Sequence, residues 1–302
     1  MDNPSKITEG GVEYSLGKFD GKSVLYDFDK ILIYLDAKGK LLFGKQFRIY
    51  DEDTVIIRKL CHYFIKDKEN CLKDDIDTNK GILLSGPVGC GKTTLMKLLR
   101  YIVPMQRPYE MIPCRNVAFS FNHLGFKTIE DYGSTKFYCF DDLGIEPAGR
   151  FYGKDLNVMG EVLLSRYELY LETKHKVKTH ATTNLNAEEL EERYGNRVRS
   201  RMRELFNLIA FDTKAGDKRK LILEYYFSNW RLFNGWSFKT YLLNNNCCFL
   251  ELVDKKLSHN CNKHSNPLHL VLEPFYNSHI RRKTDKLLLA YPLLFYVRSL
   301  GR

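Results

Sequence analysis

The chain has 302 residues, 44% hydrophobic and 28% charged, which suits a folded protein with one large domain or a medium domain with extensions. Its formal net charge is +10, but residues 221–302 carry 11 basic against 5 acidic side chains. More than half of the excess lies there, so the total is weak evidence for a nucleic-acid partner.

The start, MDNPSKITEGG, has no apolar stretch, and the longest apolar run near the end, Leu287 to Val297, contains a proline and is too short to span a bilayer. A cytoplasmic protein without a membrane partner is expected. The eight cysteines are scattered without a repeating spacing, which fits reduced thiols rather than a disulfide framework. His259, Cys261, His264 and His269 cluster, but their spacing matches no defensible zinc pattern.

In chain order, residues 1–45 mix glycines with short β-type runs such as Ile31 to Leu35, and Lys38 to Lys40 reads as a turn. They are expected to form a small strand-rich extension. The spacing of Val55, Ile56, Leu60, Tyr63 and Phe64 predicts a helix over 53–67. A charged stretch, 66–80, leads into the strand GILLS at 81–85. Further strands are predicted at 117–121, 136–140, 179–183 and 208–211, and helices at 92–101, 155–174, 187–194 and 198–206. This alternation implies an α/β fold with a mostly parallel sheet covered by helices. Residues 46–220 are read as that domain, and 221–302 as an unassigned C-terminal segment.

The strongest chemical signal is GPVGCGKTT: Gly86, Pro87, Val88, Gly89, Cys90, Gly91, Lys92, Thr93 and Thr94. It fits the phosphate-loop pattern G-x-x-x-x-G-K-[ST], with a strand before it and an apolar helix after it. Glycines let backbone N–H groups turn toward phosphates, and the helix N-terminus adds partial positive charge. Lys92 is expected on the β and γ phosphates and Thr93 on Mg²⁺. A thiol at Cys90, beside Lys92, is expected to have a depressed pKa and to react if exposed.

A second signal is FYCFDD, Phe137 to Asp142, a buried strand that delivers carboxylates to the phosphate side of a sheet. Asp141 is the expected metal ligand and Asp142 the general base for water. A third is HATTNL, in which Asn184 ends a strand and offers a neutral amide to the attacking water or the γ-phosphate. The fourth, ERYGNRVRSRMRE, carries arginines at 193, 197, 199, 201 and 203. Alternate arginines on a helix cannot share one face, so they must serve different partners. Candidates are a neighbouring subunit's γ-phosphate, DNA phosphates, or the acidic run Glu188, Glu189, Glu191 and Glu192.

Taken together, GPVGCGKTTL, FYCFDDLG, VLLSRYE and TTNLNAEELEERYGNRVRSRM resemble the AAA+ ATPases, specifically the DnaC-type helicase-loader and IstB-type transposition-helper branch. The resemblance runs from about Phe47 to Lys220. It implies a P-loop NTPase core that binds ATP and Mg²⁺, with Asn184 as sensor and Arg201 as an arginine finger acting in trans, Arg197 being the runner-up. Arg219 is a possible distal arginine. The resemblance also implies head-to-tail self-assembly into a ring or spiral on DNA, single-stranded DNA being expected, with a replicative helicase or transposase as client. Four features depart from that branch: the short stretch 108–136, the glycine- and aromatic-rich loop 146–155, residues 1–45, which contain no cysteine and so do not resemble a zinc-binding, helicase-interacting region, and the segment after 222. The competing reading is a nucleotide-switched adaptor that binds ATP with little hydrolysis. A kinase lacks support from the TTN and SRM elements, and no Asn-Lys-x-Asp guanine reader occurs.

Overall fold

The computed structural model describes residues 3–103 and 108–219, together with strands within 237–296. Two compact units divide the chain, Met1–Arg219 and Lys220–Arg302.

The first unit is built on a five-stranded sheet. Its strands are β5 (Gly81–Ser85), β6 (Glu110–Pro113), β7 (Tyr138–Asp141), β10 (Thr179–Thr183) and β11 (Phe206–Ala210). They lie in the order β11-β5-β10-β7-β6, and every neighbouring pair is parallel. The central strands are buried on both faces, β5 and β7 mostly with apolar side chains and β10 with Thr, His and Ala. Successive side chains therefore enter different cores: Ile82 and Leu84 join one buried cluster, Leu83 the other; Cys139 joins the first, Tyr138 and Phe140 the second.

The helices follow the 3.6-residue period. α2 (Thr54–Ile65) buries Ile57, Leu60, Cys61, Tyr63 and Phe64, the short α3 (Lys68–Lys73) buries Cys71, and α4 (Lys92–Leu99) buries Leu95, Met96, Leu98 and Leu99, all in the first cluster. α7 (Val158–Glu172) lies in the second, as does α8 (Ala187–Leu205). α8 starts with a reciprocal capping box between Asn186 and Glu189, at 2.9 and 2.7 Å. It is broken at Gly195, where φ is 78° and ψ 161°, so the two helices expected at 187–194 and 198–206 are the two arms of one kinked element.

Two expectations are corrected. Residues 28–43 form a helix, α1 (Phe28–Phe43), rather than strands and a turn. Asp27 caps it by accepting from the Asp29 and Lys30 amides, and Ile31, Tyr34 and Leu35 are buried on one face. Gly39, taken as a turn residue, is a packing position: a Cβ there would lie 2.0 Å from the Phe47 ring. Before α1 stand two hairpins, β1 (Lys6–Glu9) with β2 (Val12–Ser15) and β3 (Gly17–Phe19) with β4 (Val24–Tyr26).

The second correction is at 117–121, which lies within the helix α5 (Cys114–Leu124). Cys114, Val117, Ala118 and Phe121 sit at helical spacing and are buried, which outweighs the strand preference of VAFSF. A short α6 (Lys127–Tyr132) follows, so the stretch 108–136 holds a strand and two helices. The loop 146–155 is largely a hairpin, β8 (Gly149–Phe151) with β9 (Lys154–Leu156), turned by Tyr152 and Gly153, both at positive φ.

The amino ends of β7 and β10 are pinned by Arg166 of α7, which has no exposed surface. Its Nε donates to Thr179 Oγ1 at 2.8 Å, and its other nitrogens donate to the carbonyls of Ser134, Lys136 and Lys178. Burial pulls its pKa down to about 10.

In the second unit the described strands are β12 (Ser237–Leu243), β13 (Cys247–Val253) and β14 (His269–Leu272), antiparallel, and a hairpin of β15 (Leu287–Ala290) with β16 (Leu293–Tyr296). The apolar run 287–297 supplies that hairpin. Of the histidine–cysteine cluster, His259, Cys261 and His264 lie outside the described residues. Among the described residues no helix is long and apolar enough to cross a membrane.

Candidate functional site

The loop 86–91 joins β5 to α4, with Gly91 as the helix N-cap. Gly89 and Gly91 have φ of 84° and 104°, which side-chain-bearing residues avoid, so glycine lets the loop curl around a space that amides can line. The first turn of α4 adds N–H groups that have no partner within the helix. Lys92 is buried, and its ammonium donates to the carbonyls of Gly86 and Pro87 at 2.7 and 2.9 Å. Val88 is exposed at the loop's tip.

Cys90 is fully buried, 3.9 Å from Lys92 Nζ. Burial pushes its thiol up, against the pull of Lys92 and Lys218. The expected depressed pKa is therefore corrected: desolvation of the thiolate outweighs the neighbouring charges.

Across from the loop, Asp141 ends β7. Its Oδ1 accepts from Thr93 Oγ1 at 2.8 Å and from Thr182 Oγ1 at 2.7 Å. One carboxylate beside one helix-terminal hydroxyl is a donor set that suits Mg²⁺, a hard cation that keeps waters and shares phosphate oxygens. No group of three or more His, Cys, Asp or Glu side chains able to hold a metal occurs among the described residues.

Asp142 leaves the strand at φ 57°, and its backbone N–H donates to Thr182 Oγ1 at 3.0 Å. Thr183 Oγ1 donates to the Leu143 carbonyl at 2.7 Å, so the ends of β7 and β10 are stitched together where the backbone is strained. Burial first, then the charge of Asp141, raises the Asp142 pKa; Lys92, Arg219 and Arg115 oppose the rise. Such a carboxylate is a better proton acceptor than an ordinary one.

Asn184 follows β10, the strand between β5 and β7. Its Oδ1 is buried and has no hydrogen-bond partner in the described structure. A buried amide oxygen without a donor is costly, and a water bound at the site would satisfy it. Lys92, Thr93, Asp141, Asp142 and Asn184 thus gather at the carboxyl ends of three adjacent parallel strands, the place where open α/β sheets bind ligands.

No family model matches the sequence, and no curated protein matches it. Solved structures do. The DnaC helicase loader is similar at 18% identity and a TM-score of 0.38, over 56% of this chain and 94% of that one. AMPPCP-bound DnaA from Aquifex aeolicus is similar at 18% identity and a TM-score of 0.39, over 63% of this chain and 59% of that one. A DNA replication initiation factor is similar at 15% identity and a TM-score of 0.38, over 61% of this chain and 53% of that one.

The arginines go to different partners. Arg193 pairs with Glu146, whose buried carboxylate also accepts from Tyr194 and from the Gly144 amide. Arg199 is buried and Arg203 reaches Glu191 at 3.5 Å. Arg201 lies over the Tyr167 ring, 4.6 Å from its centroid, and approaches Glu204 at 3.4 Å. Arg197 is exposed. Neither Arg197 nor Arg201 contacts the chain's own phosphate loop. Arg219 folds back on Asp217 at 3.3 Å.

Sequence reasoning missed Asp53 and Lys218, which meet behind the phosphate loop. They are 165 residues apart, and no local pattern marks the pair.

Proposed function

We propose that this chain binds Mg·ATP at residues 86–94 and hydrolyses it, as an AAA+ protein that assembles on DNA in replication or in transposition of a mobile element. The observation that carries the reading is the bond between Thr93 and Asp141 beside a glycine-turned loop, with Asn184, whose buried oxygen has no partner among the described residues, following the strand between β5 and β7. The four motif segments support the AAA+ part; DNA and a helicase or transposase client rest on that resemblance, and cytoplasmic location on the apolar pattern of the sequence.

The inward amides of the loop and the Lys92 ammonium hold the β and γ phosphates, Lys92 giving up its bonds to the Gly86 and Pro87 carbonyls to do so. Thr93 and Asp141 would hold Mg²⁺, which would supply neutralisation of the phosphate charge. Asn184 orients the attacking water by accepting one of its protons in a hydrogen bond. Asp142 takes the other proton as the water oxygen bonds to the γ-phosphorus and the bridging oxygen leaves with ADP. Arg201 of a neighbouring copy supplies the charge that stabilises the transition state, in a head-to-tail contact that generates a ring or spiral.

Turnover of purified full-length protein, measured against protein concentration with and without single- and double-stranded DNA, tests the reading. Activity rising with both is expected, and Lys92→Ala should abolish saturable ATP uptake. Equal uptake by that variant would sink the reading.

The self-contained pairing of Arg201 with Tyr167 and Glu204 favours the adaptor as a second reading, because it leaves the finger occupied at home. An adaptor would bind ATP as tightly but show the same slow turnover at every protein concentration.

A further inference from the structure

The phosphate loop is gripped from behind. The Lys218 backbone N–H donates to the Gly89 carbonyl at 3.1 Å, and its ammonium donates to the Cys90 carbonyl at 2.7 Å. The same ammonium pairs with the Asp53 carboxylate, which is only 6% exposed. It also stands 5.2 Å from the Tyr50 ring centroid and 5.3 Å from that of Phe211. Asp217 presses so closely that a Cβ on Gly89 would fall 2.0 Å from its carboxylate oxygen.

These contacts bear on which way the loop's amides point. In a planar trans peptide, the carbonyl oxygen of one residue and the N–H of the next point in opposite directions. The Gly89 carbonyl shares a plane with the Cys90 N–H, and the Cys90 carbonyl shares one with the Gly91 N–H. A donor that holds both carbonyls outward turns both N–H groups to the other side. The Cys90 N–H reaches Pro87 O only at 3.4 Å, a long bond that a phosphate oxygen would improve on.

We propose that Lys218, braced by Asp53, is a positioning residue of the nucleotide site, fixing two consecutive peptide planes of the phosphate loop in their phosphate-accepting orientation. The proposal rests on the ATP reading above and deepens it. Asp53 is the brace because it stands where α2 begins, and a buried carboxylate holds an ammonium against carbonyls far better than solvent does. Burial drives the Asp53 carboxyl up and Lys218 opposes that rise, as a working pair requires. Lys218 also lies two residues before the second unit, so the grip is formed by the last residues of the first.

Two readouts on the full chain test this. One is titration with a fluorescent N-methylanthraniloyl-ATP in Mg²⁺. The other is the rate at which N-ethylmaleimide modifies the Cys90 peptide without nucleotide, followed by mass spectrometry. Lys218→Ala should weaken the analogue by about tenfold or more, the loss of a charge-assisted bond. It should also speed Cys90 modification several-fold, and raise KM more than it lowers kcat. Lys218→Arg keeps the donors and should restore most of each. Unchanged affinity and unchanged modification in Lys218→Ala would overturn the proposal. So would a lower melting temperature with affinity intact, the mark of a purely structural pair.

If the single variant does not fold, the double variant Asp53→Asn/Lys218→Met leaves no unpaired buried charge. It should show the same loss of affinity, and normal affinity there overturns the proposal as well. A wild-type chain that ignores the analogue, while Lys218→Ala still speeds Cys90 modification, sinks the ATP reading and supports the grip.

Discussion

The strand ends of the sheet and the arginine-bearing helix are held in place by different means. Thr93, Asp141 and Asn184 stand at the ends of buried parallel strands or on the helix that follows one, and ladders of backbone bonds set their positions. The arginines of α8 are placed by side-chain partners instead, such as Glu146, Glu191, Glu204 and the Tyr167 ring, on a helix that changes direction at Gly195. Ladder-fixed groups keep one geometry, whereas partner-fixed groups can exchange one carboxylate for another anion. On the proposed reading, the strand ends are a preset half-site for phosphate, and the arginines are cations that must move, or serve another molecule, to take part.

The contrast breaks first at Arg201. If its partner is a neighbour's phosphate, Arg201→Ala should cut turnover by about a thousandfold while ATP affinity stays near normal, the scale of an arginine finger. Single-turnover and binding measurements separate the two, and an equal loss in both would place Arg201 in stability rather than catalysis.

Asp142→Asn should cost less, about a hundredfold in kcat, and trap bound ATP. The pH profile sharpens this. Asp142 must be ionised to accept a proton, and its pKa is raised by burial and by Asp141. Activity should therefore fall as pH drops through that raised value, at a higher pH than an ordinary carboxylate would give, and the asparagine variant should lack that limb.

The smallest effect is expected at the kink. Gly195 holds a conformation essentially confined to glycine, so Gly195→Ala should destabilise the fold by about 2 kcal/mol. That corresponds to a fall of roughly 4–8 °C in Tm. A calorimetric scan showing no change would mean that the two arms of α8 can straighten without cost.

Much of this was legible in the sequence, for reasons that differ by element. β10 spans Thr179–Thr183 as read, because five buried residues between a lysine and an asparagine leave little choice. The strand–loop–helix around Lys92 and the strand ending at Asp141 were legible because glycines and an acidic pair punctuate apolar runs. The runs 31–35 and 117–121 suggest strands because each carries β-branched or aromatic residues in a short burst, while the deciding signal for the helices 28–43 and 114–124 is the spacing of the few residues that are buried. The orphaned oxygen of Asn184, the tether of Arg201 to Tyr167 and the pairing of Asp53 with Lys218 are facts of tertiary proximity, which no window of sequence contains.

Arg166 gives the sheet a polarity beyond the direction of its strands. At the amino ends, one immobile guanidinium fastens the approaches to β7 and β10 through bonds that no solute can replace, because none can reach it. At the carboxyl ends, the fastenings are a lysine on two carbonyls and a threonine on a carboxylate, each of which an incoming phosphate or metal can take over. One rim is welded and the other is latched, so on the proposed reading a ligand would rearrange the carboxyl rim and leave the amino rim undisturbed.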